Sequence, residues 1–447
     1  MSDWSNATIG DVTIYQKSGG TPTSTNPDYY NGDIPFVVIE DITKSARVLK
    51  STTKHLTYKG LISSNAWLIE EPHILYSMYA TVGKPIINEI QCATNQAILA
   101  LKENDLIEQW FLYYYLFYIK PQVYRYTTQT TQSNLNAATV KSLPIYFPNS
   151  KAEQRKIIKV LDAVDLTIEK TEALIEKYQQ IKAGLMQDLF TRGITTDGKL
   201  RPPREQAPEL YQETAIGWIP IDWKIKSLGG IAEIVSGVTL GSKDTTDQNI
   251  SVPYLRVANV QDGYLDLEDV KEVLVNQKTL SHLLLQSGDV LMNEGGDFDK
   301  LGRGTVWQGE IEPCIHQNHV FRVRTNCNIL RPYYLAYWSE SNTGKKYFVI
   351  SSKQSTNLAS INSTQLKAFP IATPCLKEQQ RIEGRINAIN TKITFLRKDC
   401  EKLKQQKSGL MQDLLTGKVP VKVDELETAH VWIHRSWTAL SPTAWCA

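Results

Sequence analysis

Two stretches of the chain carry one pattern of apolar and polar positions. In the first, the inward-facing positions follow spacings of 4 and 3: Ile157, Leu161, Val164, Ile168, Thr171, Ile175, Tyr178, Lys182, Leu185 and Leu189. In the second they are Ile382, Ile386, Ile389, Ile393, Leu396, Cys400, Leu403, Lys407, Leu410 and Leu414. That spacing keeps one stripe of a helix turned toward a partner helix, so each stretch is predicted to be a helix with a coiled-coil seam. A rod of roughly 36 residues at about 1.5 Å each is ~54 Å long, beyond the usual length of a helix in a globular core. An antiparallel pair of rods is expected, because each rod stands alone between two globular segments. Lysine interrupts the stripe at the same place in both copies, and lysine at such a position fixes register or orientation at some cost in stability.

The two rods are copies in register. Gly184-Leu185-Met186-Gln187-Asp188-Leu189 recurs as Gly409-Leu410-Met411-Gln412-Asp413-Leu414, and Glu153-Gln154-Arg155 has its counterpart in Glu378-Gln379-Gln380, all 225 residues apart. Ser150-x-x-Glu153 is a capping box at the first helix start. Thr191-Arg192-Gly193 and Thr416-Gly417-Lys418 supply the stops, with glycine as the signal. Gly184 and Gly409 sit inside the helices, where glycine costs about 1 kcal/mol against alanine. They are read either as tolerated glycines near a helix end or as places of close approach, by the other rod or by a partner.

The globular segments repeat more loosely. Asp3-Trp4 matches Asp222-Trp223, Ser18-Gly19-Gly20-Thr21 matches Ser236-Gly237-Val238-Thr239, and Ile34-Pro35-Phe36 matches Val252-Pro253-Tyr254. Val82-Gly83-Lys84 matches Leu301-Gly302-Arg303, and Leu143-Pro144-Ile145 matches Phe369-Pro370-Ile371. Between these anchors the segments differ almost everywhere. Runs at 34–39, 73–78, 97–101, 253–257 and 320–323 read as strands. The aromatic-rich stretches 108–119 and 331–339 read as helices whose rings belong to the core. Pro202, Pro203 and Pro208 mark a linker between the halves. The fold class is therefore α+β with an internal pseudo-two-fold repeat. Its segments are a globular domain at 1–150, a helix at 151–192, a linker at 193–220, a second domain at 221–375, a second helix at 376–416 and a tail at 417–447.

Composition adds mainly exclusions. The 447 residues are 42% hydrophobic and 21% charged, a folded rather than disordered balance. No apolar run reaches the ~18 residues of a membrane span. The start, MSDWSNATIGD, lacks a basic segment followed by an apolar one, so no signal peptide is expected. Six cysteines without a CxxC pair read as a reducing cytoplasm. A net charge of +2 neither demands nor excludes nucleic acid. There is no GxxxxGK[ST] loop and no GxGxxG after a strand. Asn26-Pro27-Asp28-Tyr29-Tyr30 echoes the NPPY-type motif of methyltransferases that act on amino groups but lacks its second proline and a cofactor-binding glycine motif before it, and is read as a turn. Cys314, His316 and His319, with Cys327 nearby, match no common zinc spacing, and no metal site is expected. No nucleophile set has a local signature, so no catalytic residues are assigned.

Two scaffolds with different fillings, joined by rods, suit a long directional polymer. Dimeric DNA readers place half-sites about one helical turn, ~34 Å, apart or multiples of it. The order of segments then becomes specific. A globular segment, Leu-Pro-Ile, a proline and a Glu-Gln helix, repeated once, resembles the specificity subunit of type I restriction–modification systems. The resemblance spans roughly residues 1–420 and is carried by Pro148–Ile157, Pro374–Ile382 and the paired Gly-Leu-Met-Gln-Asp-Leu ends. It implies two target-recognition domains, each reading one half of a bipartite asymmetric DNA site. It implies that the paired helices set the spacer and dock two methyltransferase subunits. It further implies no catalysis and no bound cofactor in this chain. The complex is expected to be an adenine-N6 methyltransferase with two motor-nuclease subunits, using S-adenosylmethionine, ATP and Mg. The competing expectations are a scaffold or decoy that sequesters methyltransferase subunits without reading DNA, and a self-contained enzyme.

The DNA-contact candidates come from loop position and side-chain chemistry. Lys84 and Arg303 follow glycines in equivalent turns, where lysine or arginine reaches phosphate or guanine O6/N7. Arg125 with Thr128, Gln129 and Gln132 forms a polar run whose counterpart is Ser352, Lys353 and Gln354. Ser18, Gly19 and Thr21, with Ser236 and Thr239, make another loop. Asn95, Gln96, Gln317 and Asn318 stand at strand starts and suit either bases or backbone capping. Arg256 completes the set. For each, an ordinary solvated surface residue is the competing reading, and most true contacts should be to phosphate. The seam residues are the partner-binding candidates. Residues 424–447 follow no part of the repeat.

Overall fold

The computed structural model describes residues 3–126, 128–129, 133–239, 250–296, 301–302, 304–354 and 359–423. The chain divides into two compact units, Met1–Glu172 with Lys398–Ala447, and Ala173–Arg397. Each unit therefore joins one globular segment to parts of both long helices. The helices are Lys151–Thr191, with 41 residues, and Leu376–Leu415, with 40. At about 1.5 Å per residue each is ~60 Å long.

Every seam position named above is buried or half-buried, while most residues between them are exposed. In the first unit Lys407 lies 2.6 Å from Asp165 and Lys404 lies 3.0 Å from Glu172. One number falls as the other rises, so the helix segments run antiparallel. Ser150 Oγ accepts the Glu153 N–H at 3.4 Å, a start signal of the first helix. Gly193 and Gly417 take φ of +66° and +70° just past the helix ends, where a side chain would be strained. Gly184 and Gly409 correct one expectation. A Cβ at either meets nothing within 4 Å, so the rods do not close up there. Both glycines point away from the seam.

The first globular segment is built on a five-stranded sheet. Its order is Thr13–Ser18, Ile98–Glu103, Ile74–Ser77, Pro85–Asn88 and Val48–Leu49, antiparallel except for the last pair. Tyr30–Val37 lies between Lys54–Leu56 and Ala93–Thr94 in a smaller sheet. Trp4–Thr8 pairs with Pro144–Pro148, tying the start of the segment to the root of the first long helix. The second segment repeats this plan. Ala232–Ser236, Val320–Thr325, Val290–Asn293 and Gly304–Val306 form a four-stranded antiparallel sheet. Ile250–Leu255 lies between Lys271–Val275 and Ile315–His316, and Lys224–Ser227 pairs with Pro370–Thr373.

Each large sheet packs on an aromatic helix, Gln109–Val123 in the first unit and Pro332–Glu340 in the second. Phe111, Tyr113 and Tyr114, and likewise Tyr334 and Trp338, are buried as core. The hydrophobic pattern misplaced strand ends: the run read to Val257 stops at Leu255, the run from Ile34 stops at Val37, and Ile39–Lys44 is a short helix. Asp41 accounts for the break, accepting the Val38 N–H at 2.9 Å and the Thr53 N–H at 3.0 Å.

Candidate nucleic-acid interface

Strand register places most of the polar candidates at one end of one sheet in each unit. In the first, Ser18 pairs with Leu99 and Ser77 with Ile98, while Tyr76 faces Pro85. The loops after Ser18, before Ile98 and between Ser77 and Pro85 therefore share one edge. The short hairpin Thr128–Gln129 with Ser133–Asn134 leads to the same place, because Leu135 donates its N–H to Met78 O at 3.0 Å. In the second unit Ser236 faces Phe321, Asn293 faces Val320 and Met292 faces Gly304. Lys353–Gln354 reaches this end through Ala359–Ser360, which also pairs with Gly295–Gly296. Ile361 donates to Glu294 O at 2.8 Å, as Leu135 does to Met78.

Two glycines make these ends compact. A Cβ on Gly19 would stand 1.8 Å from Thr94 O, and one on Gly237 would stand 1.9 Å from His316 O. No other residue fits either position, so each loop is pressed onto the strand that leads to Asn95-Gln96 or to Gln317-Asn318. Thr21 and Gln96 are exposed and hydrogen-bonded to each other. Asn95 is drawn into its own turn: Oδ1 accepts the Ala97 N–H at 3.1 Å. Lys84 donates to Thr43 O at 3.0 Å and Ser45 O at 2.7 Å, capping the short helix. Burial, then the nearby Lys120 ammonium, hold its pKa below the ordinary lysine value. Arg256 binds Asp269 through its carbonyl at 2.7 Å and its carboxylate at 2.9 Å. Ser352 donates to Val349 O, while Arg125, Thr239 and Lys353 are exposed. Gln132 and Arg303 lie outside the described residues, and for Thr128, Gln129 and Gln354 only the strand positions are described.

Sequence reasoning missed what the Glu-Gln motif does. Gln154 is fully buried and accepts the Glu108 N–H at 2.7 Å. It donates to Leu106 O and Pro148 O, each at 2.9 Å. Gln379 repeats all three bonds, with the Arg331 N–H at 2.9 Å, Ile329 O at 2.8 Å and Pro374 O at 2.9 Å. Each glutamine thus locks the start of the aromatic helix to the start of a long helix. The recurrence of the pair at an unchanged interval was the signal available. Arg47 was missed as well. It reaches Glu169 at 2.7 Å and Asp162 on the first long helix, and lies over Trp110.

Along the seam each unit has a cleft, of about 490 Å³ near Lys407 and about 630 Å³ near Lys182. Asp165, Ile168 and Met411 in the first correspond to Asn390, Ile393 and Met186 in the second.

Cys314, His316 and His319 turn to separate partners: Ile315 O, Val320 O and Glu294. Among the described residues no three His, Cys, Asp or Glu side chains are grouped to hold a metal. Pro27–Tyr29 is a single 3-10 turn capped by Asn26. Among the described residues no helix is long and apolar enough to cross a membrane.

A duplicated sheet end with non-identical side chains, on a shared joint, defines a class of protein, and comparison names the family. The model of the type I restriction modification DNA specificity domain matches residues 1–180 and again 220–405. The chain belongs to that family. It is 24% identical to the type I restriction enzyme MjaVIII specificity subunit of Methanocaldococcus jannaschii, over 94% of each chain. It is 30% identical to the putative MjaX specificity subunit of the same organism, over 46% of this chain and 49% of that relative. The type I system S subunit from M. genitalium has the same fold, with a TM-score of 0.54 at 14% identity, covering 93% of this chain and 96% of that one.

Proposed function

We propose that this chain is the DNA sequence-specificity subunit of a type I restriction–modification enzyme and is itself non-catalytic. Residues 1–150 and 221–375 are its two target-recognition domains. Each reads one half of a bipartite asymmetric site through its polar sheet end. The paired helices set the spacer between the half-sites and dock two methyltransferase subunits. Two motor-nuclease subunits complete the enzyme, which draws on S-adenosylmethionine, ATP and Mg in a bacterial or archaeal cytoplasm. The observation that carries this reading is the pair of sheet ends: the same backbone bonds frame both, while their side chains differ. Two different sequences read by one kind of scaffold require that combination.

Sequencing of N6-methyladenine in host DNA tests it. The chain is co-expressed with its methyltransferase subunit and compared with the subunit alone. A split motif that appears only with the chain, and whose halves differ, is the expected result. Partner binding without chain-dependent methylation would favour the scaffold or decoy reading.

A further inference from the structure

The two reading ends share one backbone bond that carries different side chains. In the first unit Met78 N–H donates to Ala97 O at 2.9 Å; in the second Glu294 N–H donates to His319 O at 2.9 Å. Neither Met78 nor Ala97 offers a polar side-chain group. At the second pair His319 Nδ1 lies 2.6 Å from Glu294 Oε2. The imidazole is 56% exposed and the carboxylate 28%. Both stand at the sheet end, next to Gln317 and Asn318 and on the loop that follows Asn293.

A carboxylate on a face that meets DNA needs a reason. Phosphates repel it, and it gives no phosphate contact. What it can do is accept a hydrogen bond from an exocyclic amine in the major groove. Two bases present one there, cytosine through N4 and adenine through N6. Adenine places the N7 acceptor beside N6, which opposes a group that only accepts. Cytosine presents the N4 amine without a neighbouring acceptor, and Glu or Asp is its usual reader. His319 takes one carboxylate oxygen, fixes the rotamer and leaves Oε1 to accept.

We propose that Glu294, oriented by His319, reads a cytosine in the half-site of the second unit through the N4 amine. His319 is a positioning residue here. This inference rests on the function proposed above and adds a base and a residue to it.

The test is the methylation motif of host DNA made by the complex of this chain with its methyltransferase subunit. Wild type, Glu294→Ala, Glu294→Gln and His319→Ala are compared. With Glu294→Ala, one half of the motif should lose its requirement at a single C·G pair, discrimination there falling by about tenfold, the size of one base contact. The other half should be unchanged. Glu294→Gln should move the same position toward adenine, since an amide pairs with both N6 and N7. His319→Ala should relax that position less than Glu294→Ala. An unchanged motif in Glu294→Gln overturns the proposal, even if Glu294→Ala yields no active complex. Relaxation at an A·T pair, or in both halves, also overturns it. A wild-type chain that directs no methylation at all would instead remove the reading of function on which the proposal stands.

Discussion

The two units solve the same buried-charge problem in different ways. At the root of each long helix stands a buried glutamate, Glu153 in the first unit and Glu378 in the second. Glu378 is fully engaged. Arg201 binds it through both nitrogens at 2.6 and 3.1 Å, the Ile194 N–H donates at 2.7 Å, and Trp223 Nε1 donates at 3.3 Å. Glu153 Oε1 is buried with no hydrogen-bond partner among the described residues. Arg201 comes from the segment that follows the first helix, whereas the second helix is followed by Gly417-Lys418-Val419-Pro420. Duplication preserved the carboxylate, but among the described residues the basic partner is present on one side alone. A repeat therefore preserves position more strictly than it preserves satisfaction.

The largest effects should come from breaking that difference. Removing one member of a buried pair strands the other, at about 3–5 kcal/mol. Arg201→Ala is expected to lower the melting transition of the second unit by roughly 10 °C. Glu153→Gln, which removes a charge with an unpaired oxygen, should change the first unit by less than about 1 kcal/mol, in either direction. Scanning calorimetry of the two variants decides this. Equal losses would mean that Glu153 has a partner equivalent to Arg201. The glutamines predict the opposite, a symmetric result. Gln154→Ala and Gln379→Ala each remove three hydrogen bonds at buried helix and strand ends, so both should cost about 3 kcal/mol. A difference of more than about 1 kcal/mol between them in chemical denaturation would show that the two joints are not equivalent.

These contrasts mark what was legible in the chain. The seam was legible because a strict heptad spacing repeats unchanged from Ile157 to Leu189 and from Ile382 to Leu414. The strands were legible where residues that favour strands are clustered, as at Ile74–Ser77 and Val320–Thr325. The polar sheet ends were legible only as scattered polar loops. Their convergence depends on strand register, which no local pattern encodes: Ser18 and Gln96 are far apart in the chain but reach the same sheet edge. Lys84 shows the other limit. Its Gly-Lys turn suggested a phosphate or guanine contact, and two of its protons serve Thr43 O and Ser45 O at the end of a short helix that no sequence pattern announced. The pairing of Glu294 with His319 escaped because their separation, 25 residues, follows neither a helix nor a strand period.

The seam lysines sharpen the comparison at a smaller scale. Lys407 is 12% exposed and pairs at 2.6 Å with Asp165, 7% exposed, from the facing long helix. It also lies 4.6 Å from the centre of the Phe117 ring. Lys182, its counterpart, pairs at 2.6 Å with Glu340 from the aromatic helix. Asn390 stands where the first unit has Asp165, so the lysine is kept while the carboxylate moves to the other packed element. Lys407→Met should cost about 2 kcal/mol by leaving Asp165 buried beside fewer cations. The double variant Asp165→Asn, Lys407→Met should recover most of that loss, since both charges are then gone. In the second unit Asn390→Asp should strengthen the hold on Lys182 by up to about 1 kcal/mol. Lack of recovery in the double variant, read by urea denaturation, would mean that Lys407 acts through its aromatic contacts instead.

The smallest difference is one of pH. Behind the polar sheet end of the second unit His316 is fully buried and lies 2.6 Å from Val320 O. Burial pushes its pKa down to about 4. The first unit has Thr94 at that place, although burial also lowers the pKa of His73 elsewhere in the unit. An unfolded histidine titrates near 6.5, so between about pH 6.5 and 4 the unfolded chain binds the proton more tightly than the folded one. The stability of the folded state is then intact above about pH 6.5 and falls as pH drops toward 4, by about 1 kcal/mol at pH 5.5. His316→Thr should remove this part of the acid sensitivity of the second unit and leave the first unit unchanged. Calorimetric scans at pH 7.5 and 5.5 test it. If the second transition shifts as much in His316→Thr as in the wild type, the buried imidazole is not its source.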